Sequence, residues 1–263
     1  MKILFFGDVM GSIGRKAIIK TLPALKKEYK PDLTVINAEN LAHGKGITEK
    51  TLKQMQEAGV DFFSSGNHVY SKNNANEIFQ SHKFDIIAPA NDPRTLKNYG
   101  YKVLKIGKKT LIMLNLLGKT FIDEKNIKCP FKTFDKLYKE FQKYHPDYII
   151  LDFHAEATSE KVALGHYVDG KINALLGTHT HIQTNDSQIL PKGTAYITDI
   201  GMVGAKESVI GVKKDIIIDK FLNDSKIIFD IPKTGKVTIS GVLLEINKKS
   251  SKIKVIQKET IIN

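Results

Sequence analysis

The chain has 263 residues, 41% hydrophobic and 26% charged, which is the profile of a globular protein long enough to bury roughly 70–75% of its unfolded surface without disulfides or a structural metal. One cysteine, Cys129, excludes an internal disulfide framework and fits a reducing compartment. The formal net charge of +12 invites a nucleic-acid reading, but only two of the 40 basic residues are arginines, Arg15 and Arg94, and the lysines are scattered, as a solvated surface explains equally well.

In chain order, Ile3 to Phe6 reads as a strand. The four apolar residues before Gly7-Asp8 are too few for a signal-peptide core, and no apolar run nears the ~18 residues of a membrane span, so a cytoplasmic location is expected. Ile18, Leu22, Leu25 and Tyr29 follow helical spacing, with Pro23 expected to kink or restart the helix. Leu33 to Ile36 is a second strand, and Leu52, Met55 and Ala58 mark a helix stopped by Gly59. Asp61 to Ser64 is a third strand, and Gly100 to Leu117 forms a hairpin around Gly107-Lys108-Lys109. Phe134, Leu137, Tyr138 and Phe141 recur at i, i+3, i+4 and i+7, an amphipathic helix that leads into the strand Tyr148 to Phe153. A helix over roughly 158–168 precedes the strand Ile172 to Leu176. Beyond Gly193, the segments Thr194 to Thr198, Ile216 to Ile218, Lys226 to Ile231, Val237 to Ile246 and Lys252 to Ile261 read as strands. The alternation implies parallel α/β pairing and the later strands a second sheet, so the expected fold is a layered α/β/β/α sandwich of two mixed sheets, as one domain over 1–263.

Chemistry follows the strands. Asp8, Asn37-Ala38-Glu39-Asn40, Gly66-Asn67-His68, His154 and His179-Thr180-His181 each come directly after an apolar run. Strand carboxyl ends converge on one crevice in α/β sheets, which is where ligands bind. Each motif alone has an ordinary explanation: Gly-Asn-His as a turn, His154 as a core histidine, Asp8 as a cap. Five such explanations are needed together, and one site replaces them all. His179 and His181, placed two apart on a strand end, are expected to project to one side. Oxygen and imidazole donors without thiolate suit manganese, iron, cobalt or zinc. Six or seven donors are too many for one tetrahedral ion and suit two ions about 3.5–4 Å apart sharing a carboxylate.

The ordered series resembles the calcineurin-like metallophosphoesterase superfamily, and Gly7-Asp8-Val9-Met10-Gly11, Asn37 to Asn40, Ser65 to His68, Asp152 to Thr158, Gly177 to His181 and Leu190 to Met202 resemble its bacterial YmdB-like branch nearly end to end. Met10 stands where the superfamily has a histidine, and Glu39 where it has an aspartate; the branch shares both changes, with Asn40 as the replacement ligand. The resemblance implies that Glu39 bridges two ions, that Asp8, Asn40 and His181 complete one site, and that Asn67, His154 and His179 complete the other. His68 is then the general acid, protonating the leaving alkoxide after attack by hydroxide shared between the metals. Implied cofactors are two divalent or mixed-valence ions per chain, iron and manganese first, with zinc, cobalt or magnesium as alternatives. Implied substrates are small phosphodiesters, 2′,3′- or 3′,5′-cyclic nucleotides, and implied assembly is a homo-oligomer with no membrane partner. A nuclease or phosphomonoesterase would use the same ligands, and a regulatory protein acting through RNA or an RNA-processing partner would retain the pocket.

His43, in the stretch Ala42 to Gly46, is a candidate substrate contact. His82 and His145 are expected in solvent and His166 in packing. Gly11, Gly14 and Arg15 open the first helix, as a phosphate-binding N-terminus or as a tight turn. Cys129 is given no role.

Overall fold

The computed structural model describes residues 1–225, 229–247 and 250–263. In chain order its elements are β1 (Lys2–Val9), α1 (Gly11–Tyr29), β2 (Leu33–Asn37), α2 (Glu49–Glu57), β3 (Phe62–Ser64), α3 (Ala75–Gln80), β4 (Tyr101–Ile106), β5 (Lys109–Leu117) and α4 (Pro130–Phe141). There follow β6 (Tyr148–His154), α5 (Thr158–Val168), β7 (Ala174–Thr178), β8 (Gln188–Ile189), β9 (Ala195–Ile197), β10 (Met202–Ala205), α6 (Lys214–Asn223), β11 (Gly235–Ile246) and β12 (Ser251–Ile262).

Strand alternation builds the layers. In β1, Leu4 and Phe6 face α1 and α2, while Ile3 and Phe5 face the other sheet. Leu111 and Met113 of β5 and Ile150 of β6 meet Ile3 and Phe5 in the central layer; Ile112, Leu114, Leu151 and Phe153 point outward to Phe134 of α4 and Leu164 of α5. This is the α/β/β/α sandwich. The first sheet runs β12-β11-β10-β1-β2-β3, and the second β4-β5-β6-β7-β9-β8. Within them β10, β1, β2 and β3 are parallel, as are β5, β6, β7 and β9, so two sets of strand carboxyl ends are available to one site.

Several expectations change. Helix α1 runs unbroken through Pro23, because the carbonyl deprived of its donor belongs to Ile19, an exposed residue. Ile216 to Ile218 is helix, not strand: only Ile217 is buried, and Asp215 in the first turn with Lys220 in the last suits the helix dipole. Of the expected strand Lys226 to Ile231, residues 226–228 lie outside the described residues, and Phe229 to Ile231 are not in a strand. The strand expected at Ile172 to Leu176 starts two residues later. The short elements α3, β8 and β10 carry too little periodicity to be read. Among the described residues, no helix is long and apolar enough to cross a membrane.

Candidate metal centre

Asp8 lies near the end of β1, fully buried. Beside it β2 ends at Asn37, whose Oδ1 accepts from the Glu39 backbone N–H at 3.1 Å and so turns the chain, delivering Glu39 and Asn40 to the same place. After β3 comes Gly66, where a Cβ would fall 2.3 Å from both Glu39 Oε2 and His154 Nε2. Only glycine lets this backbone approach. The next two residues, Asn67 and His68, form a 3₁₀ turn, and the His68 N–H donates to Glu39 Oε2 at 3.0 Å.

The second sheet reaches in from the other side. His154, the last residue of β6, places Nε2 3.2 Å from Glu39 Oε2 and 3.0 Å from His179 Nδ1. Glu39, His154 and His179 offer ligand atoms that lie within 4.8 Å of one another. His181 Nε2 is 3.9 Å from Asp8 Oδ1. His179 and His181 do not project from a strand as expected. Strand β7 ends at Thr178, and both histidines sit in the following loop with φ of 103° and 66°. The loop curls back so that the His179 N–H donates to Asp8 Oδ2 at 3.3 Å. The structure therefore brings Asp8, Glu39, Asn40, Asn67, His68, His154, His179 and His181 into one cluster, and His43 onto the rim of its cavity.

The donor atoms suit cations. Asp8 Oδ1, Asn40 Oδ1 and Asn67 Oδ1 are buried and find no hydrogen-bond partner among the described residues. Their other atoms are occupied: Asn40 Nδ2 donates to the Gly44 carbonyl at 2.8 Å, and Asn67 Nδ2 lies 3.4 Å from His68 Nδ1. Buried acceptors left without donors are costly unless an ion satisfies them. An amide N–H can only donate, so this contact makes His68 Nδ1 the acceptor and leaves its ring proton on Nε2.

Charge tells the same story. Burial lifts the Asp8 carboxyl to about 6 against the pull of His181 and His154. Burial also opposes ionisation of Glu39, but His154, His68 and His179 together outweigh it and hold that carboxyl well below the usual range. Burial disfavours a charged His154, yet Glu39, Asp8 and Asp152 raise it to about 9. His179 falls to about 3, through burial first and His154 second. Burial likewise pushes His68 down, making it a stronger acid when protonated. A buried carboxylate pair that forces an imidazole to act as its counter-charge is a setting for divalent cations.

Residues behind the cluster hold the imidazoles; Asp152, Glu156, Thr178 and Asp199 lie in stretches that carry the family resemblance, but nothing in the sequence assigned them a role. Thr178 Oγ1 donates to buried Asp152 at 2.7 Å, so His154 Nδ1, 2.8 Å from the same hydroxyl, must donate to it, and it is the Nε2 position, once its proton is given up, that turns a lone pair to the cluster. Burial raises Asp152 to about 7, and Ser64 and Asn37 also donate to it. Asp199 Oδ2 accepts from Lys161 Nζ at 2.8 Å and from the backbone and hydroxyl of Thr180 at 3.0 and 2.8 Å, pinning the loop between the two histidines. Lys161 and Asp199 are both fully buried. Glu156 takes His179 Nε2 at 3.0 Å, and the Ile210 carbonyl takes His181 Nδ1 at 2.8 Å.

Elsewhere, Met10 is buried in the wall of the cavity. Gly14 is a packing requirement, since its Cβ would strike the Val203 carbonyl, and Arg15 spends its guanidinium on Gln54 and the Leu41 carbonyl. His82 and His145 are exposed as expected. His166 is exposed too, contrary to the packing role: α5 turns Leu164, Gly165 and Val168 inward.

A profile described as YmdB-like protein matches residues 4–258. The chain belongs to the YmdB-like family. It is 44% identical over 254 residues to a Bacillus subtilis (strain 168) protein named 2′,3′-cyclic-nucleotide 2′-phosphodiesterase, covering 96% of this chain and 94% of that one. It superposes with a TM-score of 0.89 on a Mycoplasma pneumoniae crystal structure titled a novel phosphatase, at 35% identity and covering 100% and 94% of the two chains. A Haemophilus influenzae NAD nucleotidase shares the fold alone, at 12% identity and a TM-score of 0.56 over 100% of this chain and 56% of that one. With these relatives, the chain is a hydrolytic phosphoesterase of metallophosphoesterase fold.

Proposed function

We propose that this phosphoesterase hydrolyses small phosphodiesters, 2′,3′-cyclic nucleotides first and 3′,5′-cyclic nucleotides second, at a centre of two divalent metal ions. The observation that carries it is the trio of buried, unpartnered oxygens on Asp8, Asn40 and Asn67 beside Glu39, His154 and His179. Asp8, Asn40 and His181 would hold one ion, Asn67, His154 and His179 the other, and Glu39 both. Bound there, such ions supply Lewis acidity toward the phosphoryl oxygens and lower the pKa of water. Asp152, through Thr178, fixes the His154 tautomer, and Asp199 sets the loop that aims His179 and His181. His68, which faces the cavity, would as an imidazolium give its Nε2 proton to the leaving alkoxide, a poor leaving group without it, and be left a neutral imidazole. The cavity has about 440 Å³, a size that suits a small ligand.

The test is metal content per chain after purification without chelator, followed by chelation, add-back of manganese or iron, and parallel assays. Metal-dependent turnover of cyclic nucleotides ahead of a phosphomonoester and of short RNA is expected. Preference for RNA, with rates falling steeply as salt rises, would move the reading to a nuclease. Equal activity with and without metal would overturn the metal centre.

A further inference from the structure

The cavity over the cluster is made of two unlike parts. Its floor is polar, with Glu39, Asn40, His68, His179 and His181, while its outer wall is apolar, formed by Met10, Ile210, Val212, Phe229 and Ile231. Two of these wall residues are kept in water rather than packed away: Phe229 is 56% exposed and Ile210 46% exposed. Ile210 holds its place at a cost, with φ of 46°, a left-handed conformation that a β-branched residue resists. That conformation lets its carbonyl bind His181 while its side chain lines the mouth. Lys45 lies with Nζ 4.8 Å from the centroid of the Phe229 ring, a cation–π contact that steadies the ring and adds positive charge to the same cavity.

A bare phosphodiester has no use for that wall. A ligand that is anionic at one end and flat and apolar at the other uses both parts, and a nucleotide is such a ligand. We propose that Phe229, with Ile210, is the nucleobase-binding wall of the substrate cavity, and that Lys45 orders the ring for stacking. Base–aromatic stacking tolerates any base, because every base presents a π-face. The subsite therefore selects nucleotides over other phosphodiesters without selecting strongly among bases. This rests on the phosphodiesterase reading above and adds to it the group that the enzyme recognises beyond the phosphate.

The experiment compares adenosine 2′,3′-cyclic phosphate with methyl riboside 2′,3′-cyclic phosphate, which has the same reacting group and no base. Both are assayed on metal-loaded wild type, Phe229→Ala and Phe229→Trp, with thermal unfolding as the check that this exposed position leaves the fold unchanged. Wild type should bind the nucleotide better than the base-free diester. Phe229→Ala should raise KM for the nucleotide about tenfold at an unchanged kcat, leave the base-free diester unaffected, and be rescued by Phe229→Trp. Equal KM values for the two substrates on wild type, or equal losses on both in Phe229→Ala, would overturn the base subsite while leaving the phosphodiesterase reading standing. Turnover of neither diester by metal-loaded wild type would overturn both.

Discussion

The first sheet brings carboxylate and amide oxygens to the candidate centre, and the second brings imidazoles. The two sets are held differently. Asp8, Glu39, Asn40 and Asn67 are placed by backbone contacts and by Gly66, whose missing side chain is the space in which Glu39 and His154 meet. His154, His179 and His181 are each gripped through the ring nitrogen turned away from the centre or through the loop between them, by Thr178 and Asp152, by Glu156, by the Ile210 carbonyl, and by Asp199. An oxygen presents lone pairs in almost any rotamer. A neutral imidazole presents one, on whichever nitrogen lacks the proton, so its other nitrogen has to be told what to do. The oxygen side needs room, and the imidazole side needs a second layer of acceptors.

That contrast can be broken at its strongest point first. Glu39→Ala removes the carboxylate proposed to bridge the two ions and should release bound metal while lowering kcat by more than about 10³-fold. Two metals per chain retained in this variant, by elemental analysis, would end the bridging assignment. His68 belongs to neither set: His68→Ala should keep its metals and lose about 10²–10⁴-fold in kcat. Stoichiometric loss of metal from that variant would move His68 among the ligands. The smallest effect probes the second layer. Thr178→Val keeps the shape but cuts the link between Asp152 and His154, and should weaken metal binding about 10–100-fold in a competition titration, with Thr178→Ser restoring it. Unchanged metal affinity in Thr178→Val would show that the imidazole side is as self-sufficient as the oxygen side.

Legibility in the sequence followed the same division. Asp8, the Glu39-Asn40 pair and Gly66-Asn67-His68 stand directly after apolar runs, and the structure leaves them at strand ends, where the motif alone places them. The histidine pair was visible as a motif but not in its geometry, because an alternating strand and a loop of two left-handed residues look alike as letters. Asp152, Thr178, Lys161 and Asp199 were invisible as a set. Nothing in the spacing of Lys161 and Asp199, 38 residues apart, marks them as partners. The isoleucines of α6 misled for another reason: three β-branched residues in a row favour a strand locally, and only the burial of Ile217 alone shows a helix lying on a surface.

What could be read from the residues in order was the layered sandwich and the candidate donor groups that meet in one cluster, since short apolar runs, helical spacing and turn residues are written within a few positions of each other. What folding alone settled was which atoms are free. Of the two Asp8 oxygens, Oδ2 finds its donor in a loop 171 residues away while Oδ1 stays orphaned, and the Asn37 contact that helps hold Asp152 spans 115 residues. Hydrogen-bond satisfaction is a property of neighbours in space, and such neighbours exist only after the two sheets have packed.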